Sequence, residues 1–215
     1  MRLMPAAPPP RPARPVRRRA DRYHHGDLRR ALLLEAVRTI HADGAAALTL
    51  RGVGDRLGVS RTALYRHFAD KQALLDEVAA EGFRMLRMAL REAWGRGGRA
   101  GFDAMGVAYV HFALTHPSHY RVMFGAVADR RETDRHSDDG ADDSTDAFQV
   151  LVDAIVAEQA AGRVRREDPQ ALALYIWAMV HGVAMLALDG LLPPPTTPDA
   201  LARLAIARLH GGIDR

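Results

Sequence analysis

The sequence predicts an all-α chain of about nine helices: a three-helix front domain joined by a long fourth helix to a larger helical domain. Three observations lead there. Apolar residues make up 48% of the chain and lean on Ala and Leu, with aromatics at only 6%, a balance that favours helix on helix over sheet. Apolar positions recur at helical spacing, beginning with Leu33, Ala36, Val37 and Ile40. Glycines, prolines and N-cap residues fall between these stretches, as helix ends require. At 215 residues there is room for one large or two smaller domains.

Residues 1–22, rich in Arg and Pro, have no pattern able to bury a core and are expected to be a disordered tail. A first helix is predicted over 26–43, stopped by Gly44. Thr49 caps a short second helix whose Leu50, Val53 and Leu57 share a face, and Gly58 ends it. Ser60 caps a third helix running to about His67. Asp70 caps a long fourth helix, striped by Leu75, Val78, Gly82, Leu86 and Ala89 up to Trp94. Gly95, Gly97, Gly98 and Gly101 mark a seam, dividing a front domain, 23–94, from a rear domain, 95–215. Helices follow over 102–115, broken at His116-Pro117, and over 118–124. The acidic, aperiodic stretch 129–146 is expected to be a long mobile loop. Helices 148–161 and 169–191 come next, the latter apolar almost all round and hence expected to be buried, then Pro193-Pro194-Pro195 and a last helix over 199–210.

Composition excludes several functions. The chain has no cysteine, hence no disulfide framework, thiolate metal site or cysteine nucleophile. No apolar run is read as approaching the roughly 18 residues of a membrane span, so none is expected to cross one, and the Arg- and Pro-rich start lacks the apolar core of a secretory signal. A cytoplasmic protein is expected. The charge is uneven: residues 1–22 carry +6 and 23–71 carry +3, whereas 72–94 carry −1 and 95–215 carry −4. A basic front suits a polyanion; a solvated tail would look the same by charge alone.

Thr49–Phe68, TLRGVGDRLGVSRTALYRHF, carries the most information. Two short helices joined by Leu57-Gly58-Val59-Ser60 make a helix-turn-helix. Gly58 supplies positive φ at the corner, Val59 an apolar plug, and Ser60 an acceptor for orphan amides. With Ala63 and Leu64 turned inward, Arg61, Thr62, Tyr65 and Arg66 form the outer face, and His67 its rim. Arginine suits guanine edges or phosphate, threonine a thymine methyl, and tyrosine a phosphate or base. A merely solvated surface helix would also expose such a set; the turn chemistry and the helix that follows distinguish the two.

Residues 26–86 resemble the DNA-binding domain of the TetR/AcrR family. The resemblance rests on Gly44, Thr49, Leu50, Val53, Gly58-Val59-Ser60, Leu64-Tyr65, His67-Phe68, Lys71 and Leu74-Leu75. It implies that Thr49 and Arg51 touch phosphate, that Ser60, Arg61, Thr62, Tyr65, Arg66 and His67 form the recognition surface, and that Lys71, at the start of the fourth helix, holds another phosphate. It implies duplex operator DNA as partner, a small-molecule effector, and a homodimer paired through the last two helices, with Leu201, Leu204, Ala205 and Leu209 on a stripe. Repression is the sign the family suggests. Gly52 and Gly54 depart from the usual pattern and are expected to loosen the second helix by roughly 1–2 kcal/mol. Tyr23 and His24, just before the first helix, either reach phosphate or pack the helix entry.

Trp177-Ala178-Met179-Val180-His181-Gly182 resembles the rear-domain type named for its Trp-His-Gly pattern, as do His116-Pro117 and Tyr120-x-x-Met123-Phe124. Trp177 and His181 lie one turn apart on one face. They are either plain core, or walls of a ligand cavity with Met105, Tyr109, Phe112, Tyr120, Met123 and Met185. His111, His116 and His119 lack the partners of a metal site, and neither metal nor cofactor is expected. An enzyme would need a nucleophile–base pair or metal cluster, and none is visible. An effector-independent, nucleoid-type DNA binder remains the alternative, though the size of the rear domain argues against it.

Overall fold

The computed structural model describes residues 25–133 and 143–213. The tail 1–22 and the pair Tyr23 and His24 lie outside the described residues. The described chain is built of nine helices and contains no strand: α1 His25–Ala47, α2 Leu50–Leu57, α3 Arg61–Tyr65, α4 Lys71–Trp94, α5 Gly98–Thr115, α6 Pro117–Thr133, α7 Asp143–Ala160, α8 Pro169–Leu188 and α9 Pro198–Ile213.

Helix ends sit where local chemistry places them. Gly44, at φ 81°, breaks α1, and one more turn, Ala45–Ala47, follows it. Asp70 caps α4 by accepting from the Ala73 amide at 2.8 Å, and Asp168 caps α8 from Gln170 at 3.0 Å, with Pro169 at the first helical position. Arg121 of α6 donates to the Leu188 carbonyl and to Asp189, tying off the end of α8. The stretch 129–146, expected to be a loop, is helical at both ends: α6 runs on to Thr133 and α7 begins at Asp143, with 134–142 outside the described residues. An aperiodic charged sequence offers no apolar stripe to recognise, yet Asp, Glu and Arg are tolerated in helices.

One continuous apolar core runs from Leu28 to Leu209. α4 lies at its centre, packed on α5, α6 and α7, while α5 rests on α8 and α9. The front helices also meet the rear a second time, because α1 packs on α6 as well as on α4. α4 is therefore not the sole physical link between the two ends. At the front, Arg29 of α1 bonds Glu77 of α4 at 2.6 Å and lies over the Phe68 ring at 5.2 Å. That bond holds the Glu77 carboxyl below its ordinary range.

α8 departs from expectation. By length and composition Pro169–Leu188 is apolar enough to cross a membrane, with a window of mean hydropathy 2.0. The punctuation of His181-Gly182 hides this in the sequence. Only a third of that window is buried within the chain, although the helix packs against α5, α7 and α9. Its outer face is left apolar: Leu174 is 55% exposed, Tyr175 59% and Leu186 44%, beside Leu204 of α9 at 53%. Leu209, expected on the same outward stripe, is instead buried in the chain's own core.

Candidate nucleic-acid interface and ligand cavity

The front site is built on caps. Thr49 Oγ1 accepts from the Gly52 amide at 3.0 Å, and Ser60 Oγ from the Ala63 amide at 3.3 Å. Gly58 turns the corner at φ 66°, ψ 28°, and the Val59 amide closes back on the Gly54 carbonyl at 3.0 Å. A Cβ on Gly54 would meet Leu64 Cδ2 at 3.3 Å, so the missing side chain sets how closely α2 and α3 approach. A Cβ on Gly52 would fall 2.9 Å from the capping Thr49 oxygen. Both glycines thus have local work that propensity alone does not reveal. α2 is further held by Arg56, which donates to Thr39 Oγ1 at 2.6 Å and lies 3.5 Å from Glu35.

Arg51, Arg61, Thr62, Tyr65 and Arg66 are exposed, Tyr65 to 56%, together with Thr49 and Ser60, while His67 is half-buried at the rim. Arg51 also lies 3.6 Å from Asp55. Lys71 starts α4, and its Nζ donates to the Ala46 carbonyl at 3.1 Å, tethering α4 to the turn that follows α1.

Behind this, the rear helices enclose a cavity of about 620 Å³. α4 contributes Phe83, Leu86 and Leu90; α5 contributes Phe102, Met105, Gly106 and Tyr109. Phe124 of α6 and Phe148 and Leu151 of α7 close one side, Leu174, Trp177 and Val180 of α8 another, and Ile206 of α9 the floor. Gln170 and Ala171 stand among the lining at the start of α8. Among the described residues the lining side chains carry no formal charge. The aromatic rings touch one another edge-on or tilted, Phe83 to Phe124 at 5.7 Å and Trp177 to both Phe124 and Phe148 at 6.0 Å.

Trp177 and His181 meet the two tyrosines in a polar hub on this wall. Trp177 Nε1 donates to Tyr109 Oη at 2.9 Å, and Tyr120 Oη lies 3.1 Å from Tyr109 Oη. His181 Nδ1 lies 2.7 Å from Tyr120 Oη and 3.0 Å from Tyr109 Oη. Burial pushes the Tyr109 phenol up to about 12, raises Tyr120 further, and lowers His181, so the hub is uncharged near neutral pH.

Of the residues expected around a ligand, Met105, Tyr109 and Trp177 line the cavity, with Tyr120 and His181 directly behind Tyr109. Three do not. Phe112 faces a separate, charged groove between α4, α5 and α9, Met123 lies under Gly82 at the crossing of α4 and α6, and Met185 sits further along α8. The walls missed by sequence reasoning, Phe83, Leu86 and Phe124 above all, look like ordinary core. His119 lies 3.5 Å from Glu81, and the described residues hold no metal-binding cluster.

A capped helix-turn-helix backed by a helical domain around an apolar cavity is the build of a regulatory protein that answers to a small molecule. Comparison with known proteins agrees. Residues 32–78 match the model described as bacterial regulatory proteins, tetR family, and residues 102–209 that of the tetracyclin repressor-like C-terminal domain. The chain belongs to the TetR family of bacterial regulatory proteins. A Rhodococcus sp. RHA1 protein of unknown function is 33% identical, with 91% of this chain and all of that one covered at a TM-score of 0.77. The class C tetracycline repressor of Escherichia coli is 43% identical over 51 residues, 24% of this chain, and the match spans only about a quarter (23%) of that repressor. A Saccharomonospora viridis protein solved in complex with choline shares the fold, at 19% identity over 88% of this chain and 99% of that one, with a TM-score of 0.64. Family and fold are those of transcriptional regulators.

Proposed function

We propose that the chain is a DNA-binding transcriptional repressor that holds a near-palindromic operator as a homodimer and releases it when a small molecule fills the cavity. The observation that carries this reading is the exposed set Arg61, Thr62, Tyr65 and Arg66 on a capped α3, with Lys71 at its edge. Thr49 and Arg51 at the head of α2, with Ser60 and His67, complete the surface facing phosphate and base edges. The domain boundary falls where α4 ends, at Gly95–Gly97, with residues 23–94 in front and 95–215 behind. The apolar outer face of α8 and α9 pairs with its mate isologously. The site of action is the cytoplasm, where the operator lies. A ligand in the cavity bears on Phe83, Leu86 and Leu90 of α4, and through the hub on α6, against which α1 rests. Both routes displace the recognition helices from successive major grooves, which lie about 34–36 Å apart. A differential affinity of about 2.7 kcal/mol suffices for a hundredfold loss of operator binding.

The test is selection of bound duplexes from random sequence, followed by titration at several salt concentrations. Arg61→Ala, Thr62→Ala and Tyr65→Phe should alter which bases are preferred. Lys71→Ala should weaken all duplexes alike and reduce the salt slope by about one ion per half-site. A protein that selects no sequence, or a Lys71→Ala variant with changed base preference, would refute these assignments.

A further inference from the structure

The chemistry of the cavity wall narrows the class of molecule it accepts, an inference that rests on the effector reading above. Among the described residues no lining side chain bears a charge, so a buried carboxylate or ammonium would find no counter-charge there for its lost hydration. The aromatic rings are engaged with one another at 5.7–6.0 Å and do not stand apart as a box open to a cation. The largest part of the surface is aliphatic and aromatic carbon, suited to an apolar body.

The hub fixes what polar group that body bears. Trp177 N–H is directed to the Tyr109 oxygen, leaving the protons of two phenols to place. His181 Nδ1 offers at most one lone pair to both, and Tyr120 holds the shorter contact, 2.7 Å against 3.0 Å. When Tyr120 donates to the Tyr109 oxygen at 3.1 Å, Nδ1 is left to the Tyr109 proton; when Tyr120 takes Nδ1 instead, the Tyr109 hydroxyl is released to turn toward the cavity. In the other histidine tautomer Nδ1 carries a hydrogen itself, and neither phenol proton can go to the imidazole. Tyr109 is the hub phenol that lines the cavity. We propose that the cavity selects an uncharged, largely apolar molecule bearing a hydrogen-bond acceptor, a carbonyl or ether oxygen, that receives the Tyr109 hydroxyl.

Three probes of one chain length decide it: 2-decanone, decanoate and decyltrimethylammonium, titrated into the full chain at neutral pH by tryptophan fluorescence, to which Trp177 reports from the wall. The ketone should bind at least about tenfold more tightly than either ion, the size of one hydrogen bond or more. Tyr109→Phe should cost the ketone about tenfold and leave the two ions nearly unchanged. The wild-type series stands even where that variant folds poorly. Decanoate or the ammonium binding as tightly as the ketone would overturn the proposal, as would a folded Tyr109→Phe with unaltered ketone affinity. Failure of all three to bind would overturn it together with the effector half of the proposed function, leaving DNA binding, measured without ligand, as a separate result.

Discussion

Gly82→Ala probes the crossing on which α4 and α6 bear. A Cβ at Gly82 would lie 2.5 Å from Met123 Sδ, 2.9 Å from Met123 Cγ and 3.2 Å from His119 Cβ. Met123 is fully buried, so its flexible side chain has no open space to move into. Overpacking of this kind costs about 1–3 kcal/mol, and replacing glycine inside a helix returns about 1 kcal/mol. The net is a loss of about 1 kcal/mol, which lowers Tm by about 2–4 °C for a chain of this size. Met123→Ala alone leaves a cavity and costs about 2–5 kcal/mol. In that background the same Gly82→Ala change has room, keeps its helix gain, and stabilises by about 1 kcal/mol. The cycle therefore carries a coupling of about 2 kcal/mol. Urea unfolding of the four proteins, followed by circular dichroism, measures it. Additive effects, with Gly82→Ala stabilising in both backgrounds, would show that α4 and α6 do not meet through this glycine.

Tyr175→Asp with Leu204→Asp should convert a dimer into a monomer in sedimentation velocity at micromolar concentration while helicity is retained; a dimer that persists would move the interface off the outer face of α8 and α9. Stability should fall on acidification. His181 and His116 titrate lower folded than unfolded, so the unfolded chain binds their protons first, and stability present above the ordinary histidine value, about 6.5, is lost as pH drops through and below it. His181→Asn should flatten that dependence between neutral pH and about pH 5, as read from urea midpoints; an unchanged slope would place the titration elsewhere.

What was legible in the sequence was local. Thr49, Ser60 and Asp70 each accept the amide expected of a cap, because capping depends on four consecutive residues and not on the rest of the fold. Gly58 likewise sits in the left-handed conformation expected of it. The cavity was legible in part: Met105, Tyr109 and Trp177 line it as expected, whereas Phe124 was not among the walls expected. Met123 and Phe124 are neighbours on α6, yet Phe124 lines the cavity and Met123 lies under Gly82. Which of two adjacent apolar residues faces a void is set by how six helices pack, information no single helix contains. The same limit hid Leu86, whose periodicity marks it as buried but not against what. The glycines of α2 show the reverse error, a penalty assigned from propensity where the Thr49 oxygen and the Leu64 side chain occupy the space a methyl would take.

The bond from Lys71 to the Ala46 carbonyl uses one of the three protons on the ammonium. Lys71 is the chain's sole lysine. Ordinarily a lysine reaching for a phosphate surrenders roughly 2 kcal/mol of rotamer freedom at the moment of contact. Here part of that freedom is already gone in the unbound protein, and two protons stay available on a nitrogen already tethered by one bond. The charge at the head of α4 is therefore a rigid peg in place of a sweeping arm. Under the proposed function it registers the helix against a phosphate at one height on the duplex, and any tilt of α4 moves that peg with it.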